Sequence, residues 1–154
     1  MAHLMSSALQ YEAGDTWLAD CGERPALVRA AWDEERLALV VSGARWLVAE
    51  SRLTRGWPAA SRLRDSPHGP VLADPDADKM FWLVPLDAAE ELSDVRHLVV
   101  HSAGWSLSCP PTGRQVDGRF WLWRPDGSGD LNDSARIAAA FGPRDYRPEA
   151  EALA

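Results

Sequence analysis

Val71-Leu72-Ala73-Asp74-Pro75-Asp76-Ala77-Asp78-Lys79-Met80-Phe81-Trp82-Leu83-Val84 is the stretch whose reading decides the fold. Two apolar runs, 71–73 and 80–84, flank a polar segment made of the aspartate and proline that favour turns. A β-hairpin is the simplest arrangement. Pro85 stops its second strand, because proline has no N–H to give to a ladder. Upstream, Leu37-Ala38-Leu39-Val40-Val41 is a short apolar run bounded by polar residues, as a buried strand requires. Ser42-Gly43 makes a turn, and Arg45-Trp46-Leu47-Val48-Ala49 reads as the next strand.

Downstream, His97-Leu98-Val99-Val100-His101, Gly104-Trp105-Ser106-Leu107-Ser108-Cys109 and Phe120-Trp121-Leu122-Trp123 continue the strand pattern. Trp105, Leu107 and Cys109 alternate with serine, which predicts one buried and one wet face. The same period places Trp121 and Trp123 on one face and Leu122 on the other. Helices are punctuated by proline and by caps. Pro25 suits a first helical position, followed by Leu27, Val28, Ala31 and Trp32 on one face. Pro58 is read as opening another helix, with Ala59, Ala60 and Leu63 inward. A short helix is expected at 87–92. Asn132 or Asp133 caps the last helix, Ile137 and Phe141 share its face, and Gly142-Pro143 closes it. The sum is an α+β fold: one domain, a mixed or antiparallel sheet of about six or seven strands, and a few short helices.

A length of 154 residues fits one domain. The boundaries read as an N-terminal extension over 1–22, the α+β domain over 23–143, and a flexible C-terminal tail over 144–154. Apolar residues make up 46% and charged residues 25%, which excludes a wholly disordered chain. Net charge is −7 and the isoelectric point about 5.0. Nucleic-acid-binding domains carry a basic stripe and an isoelectric point above about 9, so direct nucleic-acid binding is not expected and a protein partner is. Lys79 is the sole lysine among 16 basic residues, a bias that looks like a GC-rich genome. Cys21 and Cys109 form no Cys-x-x-Cys pair, so no zinc or redox motif is present. No apolar run reaches the roughly 18 residues of a membrane span. Residues 1–10 lack the basic start and long apolar core of a signal peptide. The expectation is a cytoplasmic protein with reduced thiols and no membrane contact.

Several patterns carry candidate chemistry. Asp74, Asp76 and Asp78 alternate like the first ligands of a calcium loop. Lys79 and Pro85 stand where such a loop needs glycine and glutamate, so a solvated turn is favoured over a metal site. Asp126-Gly127-Ser128-Gly129-Asp130 lies between a strand and a helix, where phosphate loops belong, yet two aspartates repel phosphate and no Gly-Lys-Ser/Thr follows. His97 and His101 in one strand stand about 13 Å apart, too far to share a metal. His68 is a lone loop histidine. No nucleophile elbow appears, and neither cysteine has a recognisable histidine context. Tryptophan is the anomaly: eight Trp against three Phe and two Tyr. Indoles fill cores or stack on bases and sugars. Trp105, Trp121 and Trp123 are the ligand-binding candidates.

Ala26-Leu27-Val28-Arg29-Ala30-Ala31-Trp32, Val41-Ser42-Gly43-Ala44-Arg45-Trp46-Leu47-Val48, His68-Gly69-Pro70-Val71-Leu72, Phe81-Trp82-Leu83-Val84-Pro85, Pro110-Pro111, Trp121-Leu122-Trp123-Arg124-Pro125 and Leu131-Asn132-Asp133-Ser134-Ala135-Arg136 occur in an order that resembles the bifunctional primase/polymerase (prim-pol) N-terminal domain. The small, divergent versions from high-GC bacteria are the most similar. The resemblance spans residues 24–142. It implies an α+β fold that polymerises nucleotides on a template with divalent metal, using an Asp-x-Asp pair after a glycine-containing turn. By position that pair falls at Glu50 and Arg52. Arg52 puts a positive charge where two-metal chemistry needs a carboxylate. The family's early cysteine-rich stretch has no counterpart either. The first reading is therefore a non-catalytic, prim-pol-like binding or regulatory protein that acts through a protein partner and needs no cofactor. The second is a residual nucleotidyltransferase or nucleotide-binding domain, with Glu50 and Asp74, Asp76 or Asp78 holding magnesium or manganese. The third is a small-ligand or carbohydrate binder using its tryptophans.

Overall fold

The computed structural model describes the backbone of residues 2–142 and the side chains from residue 8 onward. The expected C-terminal tail, 144–154, lies outside the described residues. Elements follow in the order α1 (Ala2–Cys21), α2 (Pro25–Asp33), β1 (Ala38–Val41), β2 (Leu47–Ser51), α3 (Leu53–Leu63), β3 (Val71–Asp74), β4 (Lys79–Val84), α4 (Ala88–Glu91), β5 (Val99–His101), β6 (Ser106–Cys109), β7 (Phe120–Trp123) and α5 (Ser134–Phe141). The class is α+β in a single domain. Five strands form one antiparallel sheet in the order β5-β2-β4-β3-β7, and β1 and β6 pair in a second, two-stranded sheet.

The hairpin of β3 and β4 forms as its sequence indicates, with Val71 opposite Trp82 and Asp74 opposite Lys79. β4 lies at the centre of the larger sheet, between β2 and β3. Antiparallel sheets commonly leave one face to water. Here both faces are covered, which is why Met80-Phe81-Trp82-Leu83-Val84 has no polar alternation and is buried throughout. Val48, Leu72, Phe81, Leu83 and Trp121 face the layer made by α1, α2 and the β1–β6 pair. Leu47, Ala49, Val71, Met80, Trp82 and Val84 face α3, α4 and α5.

Two local readings are corrected. Trp121 and Trp123 do not share a face. Trp121 stands opposite Leu72 while Trp123 stands opposite Val71, so a β-bulge at Leu122 adds one residue to β7 and turns Trp123 to the other side of the sheet. α3 begins at Leu53, upstream of Pro58, which lies inside the helix. Its start is fixed from outside the helix: the N–H groups of Leu53 and Thr54 donate to the carbonyl and carboxylate of Asp78, at 3.1 and 3.0 Å. The N-terminal segment is a helix whose last turns belong to the core, with Leu18 and Ala19 fully buried. Asp15 fastens it by accepting from the backbone N–H and the hydroxyl of Thr112, at 2.7 and 2.9 Å.

Asp133 caps α5 by accepting from the N–H of Arg136. Its neighbour Asn132 is buried: the Oδ1 atom accepts from Gly69 N–H, and the amide nitrogen donates to the carbonyls of Pro70 and Leu83. The loops around 69 and 131 thereby become one brace against β4. Cys21 and Cys109 are both free and buried.

Candidate functional site

Glu50, the residue at the position implied for catalysis, projects from β2 onto the same side of the sheet as Val48, the side that carries α1. Pairing of β2 with β5 brings His101 beside it, and pairing with β4 brings Lys79. Glu50 Oε1 meets His101 Nε2 at 3.0 Å, and Glu50 Oε2 meets Lys79 Nζ at 3.6 Å. Arg52 pairs with neither. It turns to the hairpin loop and donates from Nε to Asp78 at 2.7 Å.

The three aspartates of the loop are dispersed among separate tasks. Asp74 accepts from Ala77 N–H and from Arg119 Nε, the latter at 3.0 Å, and Arg119 also donates to the Ser108 carbonyl. The guanidinium lies over the Phe81 ring at 4.9 Å. Asp78 caps α3, and hydrogen bonding from Thr54 N–H holds its carboxyl below the ordinary carboxylate value. Asp76 lies against Gly118. Among the described residues, no group of three or more His, Cys, Asp or Glu side chains is arranged to hold a metal ion. The region thus carries the polar row His101–Glu50–Lys79, the Asp74–Arg119 ion pair, and a partly buried Trp105 stacked on His101.

The tryptophans divide three ways. Trp121 is core, 8% exposed, and its indole N–H donates to the Pro110 carbonyl at 2.9 Å. Trp105 is partly buried, and one of its faces is covered by His101, the rings 4.0 Å apart and within 3° of parallel. Trp123 is likewise covered by His68 at 3.6 Å and meets Trp82 edge-on. The chain's own imidazoles thus occupy ring faces that a base or sugar would need.

Two concavities stand apart from this row. One, of about 310 Å³, runs between α1 and the loops flanking β3 and α5. Its walls are Trp17, the His68–Trp123 stack, Arg124, Asp126 and Asp130. Trp17 escaped the sequence reading because it sits on a helix with no distinct apolar face; only the fold brings it to residues a hundred positions downstream. The other, of about 380 Å³, lies between α2 and β1 and is lined by Leu27, Val28, Leu37, Leu39 and Val41 together with the charged Glu23, Arg24 and Arg36. Leu27 and Leu39 are 57% and 66% exposed there. Ser42 N–H donates to Trp105, toward β6. By strand alternation, Leu39 and Val41 turn their backbone groups away from β6. Among the described residues no strand pairs with that side of β1.

No helix among the described residues is long and apolar enough to cross a membrane. Compared with family models, curated proteins and solved structures, the chain matches none.

Proposed function

We propose that this chain is a prim-pol-like scaffold that acts by binding a protein partner, and that the partner is a basic protein which adds an extended apolar segment to the free side of β1. The carrying observation is that edge. Natural sheets blunt such edges with charge or proline, and Ala38-Leu39-Val40-Val41 has neither. Strand addition draws affinity from main-chain hydrogen bonds and specificity from alternate side-chain pockets; Leu27, Leu37 and Leu39 supply the apolar wall beside the edge. A net charge of −7 favours encounter with a basic partner. Binding is favoured over nucleotidyl transfer because Glu50 and Asp74 already face cationic side chains, whereas two-metal chemistry draws on carboxylates open to the ions.

The test is selection of binders from a random peptide library displayed on phage, followed by amide exchange at Leu39 and Val41. Selected peptides are expected to alternate apolar and other residues, to carry Lys or Arg, to slow exchange at those two amides, and to lose binding to Leu39→Lys. Peptides that leave both amides exchanging as in the free protein would overturn the proposal. So would a dimer in sedimentation that Leu39→Lys dissolves, since a second copy would then hold the edge. Primer synthesis from labelled nucleotides with magnesium or manganese is expected at background for wild type and Glu50→Ala alike. Template-dependent product that Glu50→Ala abolishes would establish the catalytic reading instead.

A further inference from the structure

The cavity between α2 and β1 says more about the added segment than that it is apolar. We infer that the segment is anchored by one aromatic side chain, tryptophan above all, seated in that cavity; the inference rests on strand addition at β1.

The cavity is bounded at both ends, which makes it a socket rather than a through-going groove. At one end the chain folds back after α2, and Arg36 N–H donates to the Ala31 carbonyl at 2.8 Å. At the other, Gly22 lies against both walls: a Cβ there would stand 3.6 Å from Val40 and 4.0 Å from Val28. The floor between these ends is small and apolar, with Val28, Ala31 and Ala38 all buried. Leu27 and Leu39 stand exposed on either side. Alanines between standing leucines leave depth for a bulky side chain, and about 380 Å³ is room for one. α2 lies on the face of β1 that carries Ala38 and Val40, since these pack with Val28, Ala31 and Trp32 in one core. Side chains of an added strand alternate between faces, so every second one turns toward α2.

The charges at the mouth select the kind of side chain. Arg36 is already paired with Glu34 at 2.7 Å, which leaves Glu23 and Arg24, both exposed. Arg24 precedes α2 and makes no side-chain hydrogen bond to the helix end. Because the two charges are adjacent and opposite, a charged side chain that gains from one is opposed by the other. An aliphatic side chain fills the floor and uses neither. An aromatic one uses both: a guanidinium is attracted to the ring face, and a carboxylate accepts from an indole N–H, a donor that needs a partner when tryptophan is buried. Anchors of this type, seated in desolvated pockets, carry much of the binding energy at interfaces.

The probes are the peptide Lys-Thr-Trp-Thr-Val-Lys, blocked at both ends, and its relatives with Leu or Ala in place of Trp. Calorimetry against the full chain gives affinity, and NMR gives amide exchange at Leu39 and Val41 together with contacts of the peptide indole. The Trp peptide is expected to bind about tenfold more tightly than the Leu peptide, and its indole to contact Ala31 and Leu27. Glu23→Ala and Arg24→Ala, both at exposed positions, should each shrink that ratio; the ratio is the readout because a change in net charge moves both peptides alike. Ala31→Leu fills the socket and should erase the ratio, while the Ala peptide still slows the amides of Leu39 and Val41. Unchanged far-UV circular dichroism checks that the variants fold. A ratio near one in the wild type, or one that Ala31→Leu leaves intact, would overturn the inference, and slowed amides at Leu39 and Val41 would then keep strand addition standing. Indole contacts to Ala31 with both amides exchanging as in the free protein would uphold the socket and overturn strand addition. Peptides that reach neither the socket nor the edge overturn both.

Discussion

Asp78 shows how a residue that looks like a metal ligand is spent on the backbone. It accepts from Thr54 N–H and from Arg52, and its carbonyl accepts from Leu53, so one turn residue ends the hairpin and starts α3. Its carboxyl pKa is lowered on folding from 3.8, chiefly by the Thr54 hydrogen bond. A depressed folded value means the stabilisation is complete above the unfolded value and drains as pH falls through the folded one. Asp78→Ala should therefore lower Tm by a constant amount at neutral pH. That deficit should shrink below pH 3.8, as thermal melts of both proteins across pH will show. Asn132 is the other residue to test. Truncating it to alanine strands Gly69 N–H and weakens the binding of two carbonyls, and a loss of about 2–4 kcal/mol is expected in urea denaturation.

Among elements, the sequence made legible whatever rests on short-range period. The β3–β4 hairpin, the alternation of Leu107 and Cys109 with serine, and the Ile137–Phe141 face of α5 all follow from neighbours a few residues apart. Features set by distant partners stayed hidden. Period-2 reading cannot see the extra residue at Leu122, because the bulge is defined by what β3 does opposite it. The start of α3 was missed because its cap comes from another loop while Pro58 mimics a helix opening. The pairing of Glu50 with His101 depended on β5 lying beside β2, which local pattern does not reveal. The cavity beside Trp17 is half visible in the sequence: Trp123, His68, Asp126 and Asp130 stand out there, whereas Trp17, which completes the wall, does not. The seat of α1 gives a further test. Gly14 faces the Pro125 carbonyl so closely that no side chain fits between them. Alanine has the better helix propensity, yet Gly14→Ala should destabilise by about 1–3 kcal/mol, as overpacking does.

Across the whole molecule, two apolar layers meet on opposite sides of the same five strands. Neither layer keeps its floor if the sheet comes apart, so unfolding should be a single cooperative event. Far-UV circular dichroism and tryptophan fluorescence in urea are expected to give superimposable transitions, although seven of the eight indoles are distributed over both layers; separated midpoints would show layers that melt independently. The thiols extend this argument. Cys21 comes from α1 and Cys109 from β6, they are 4% and 0% exposed in one core, and burial raises the pKa of each. Alkylating reagents attack the thiolate and need a path to it. Iodoacetamide therefore has two built-in clocks to read, one on either wall of that core, and the interval between their labelling times measures whether the amino-terminal helix ever peels away before the strands part.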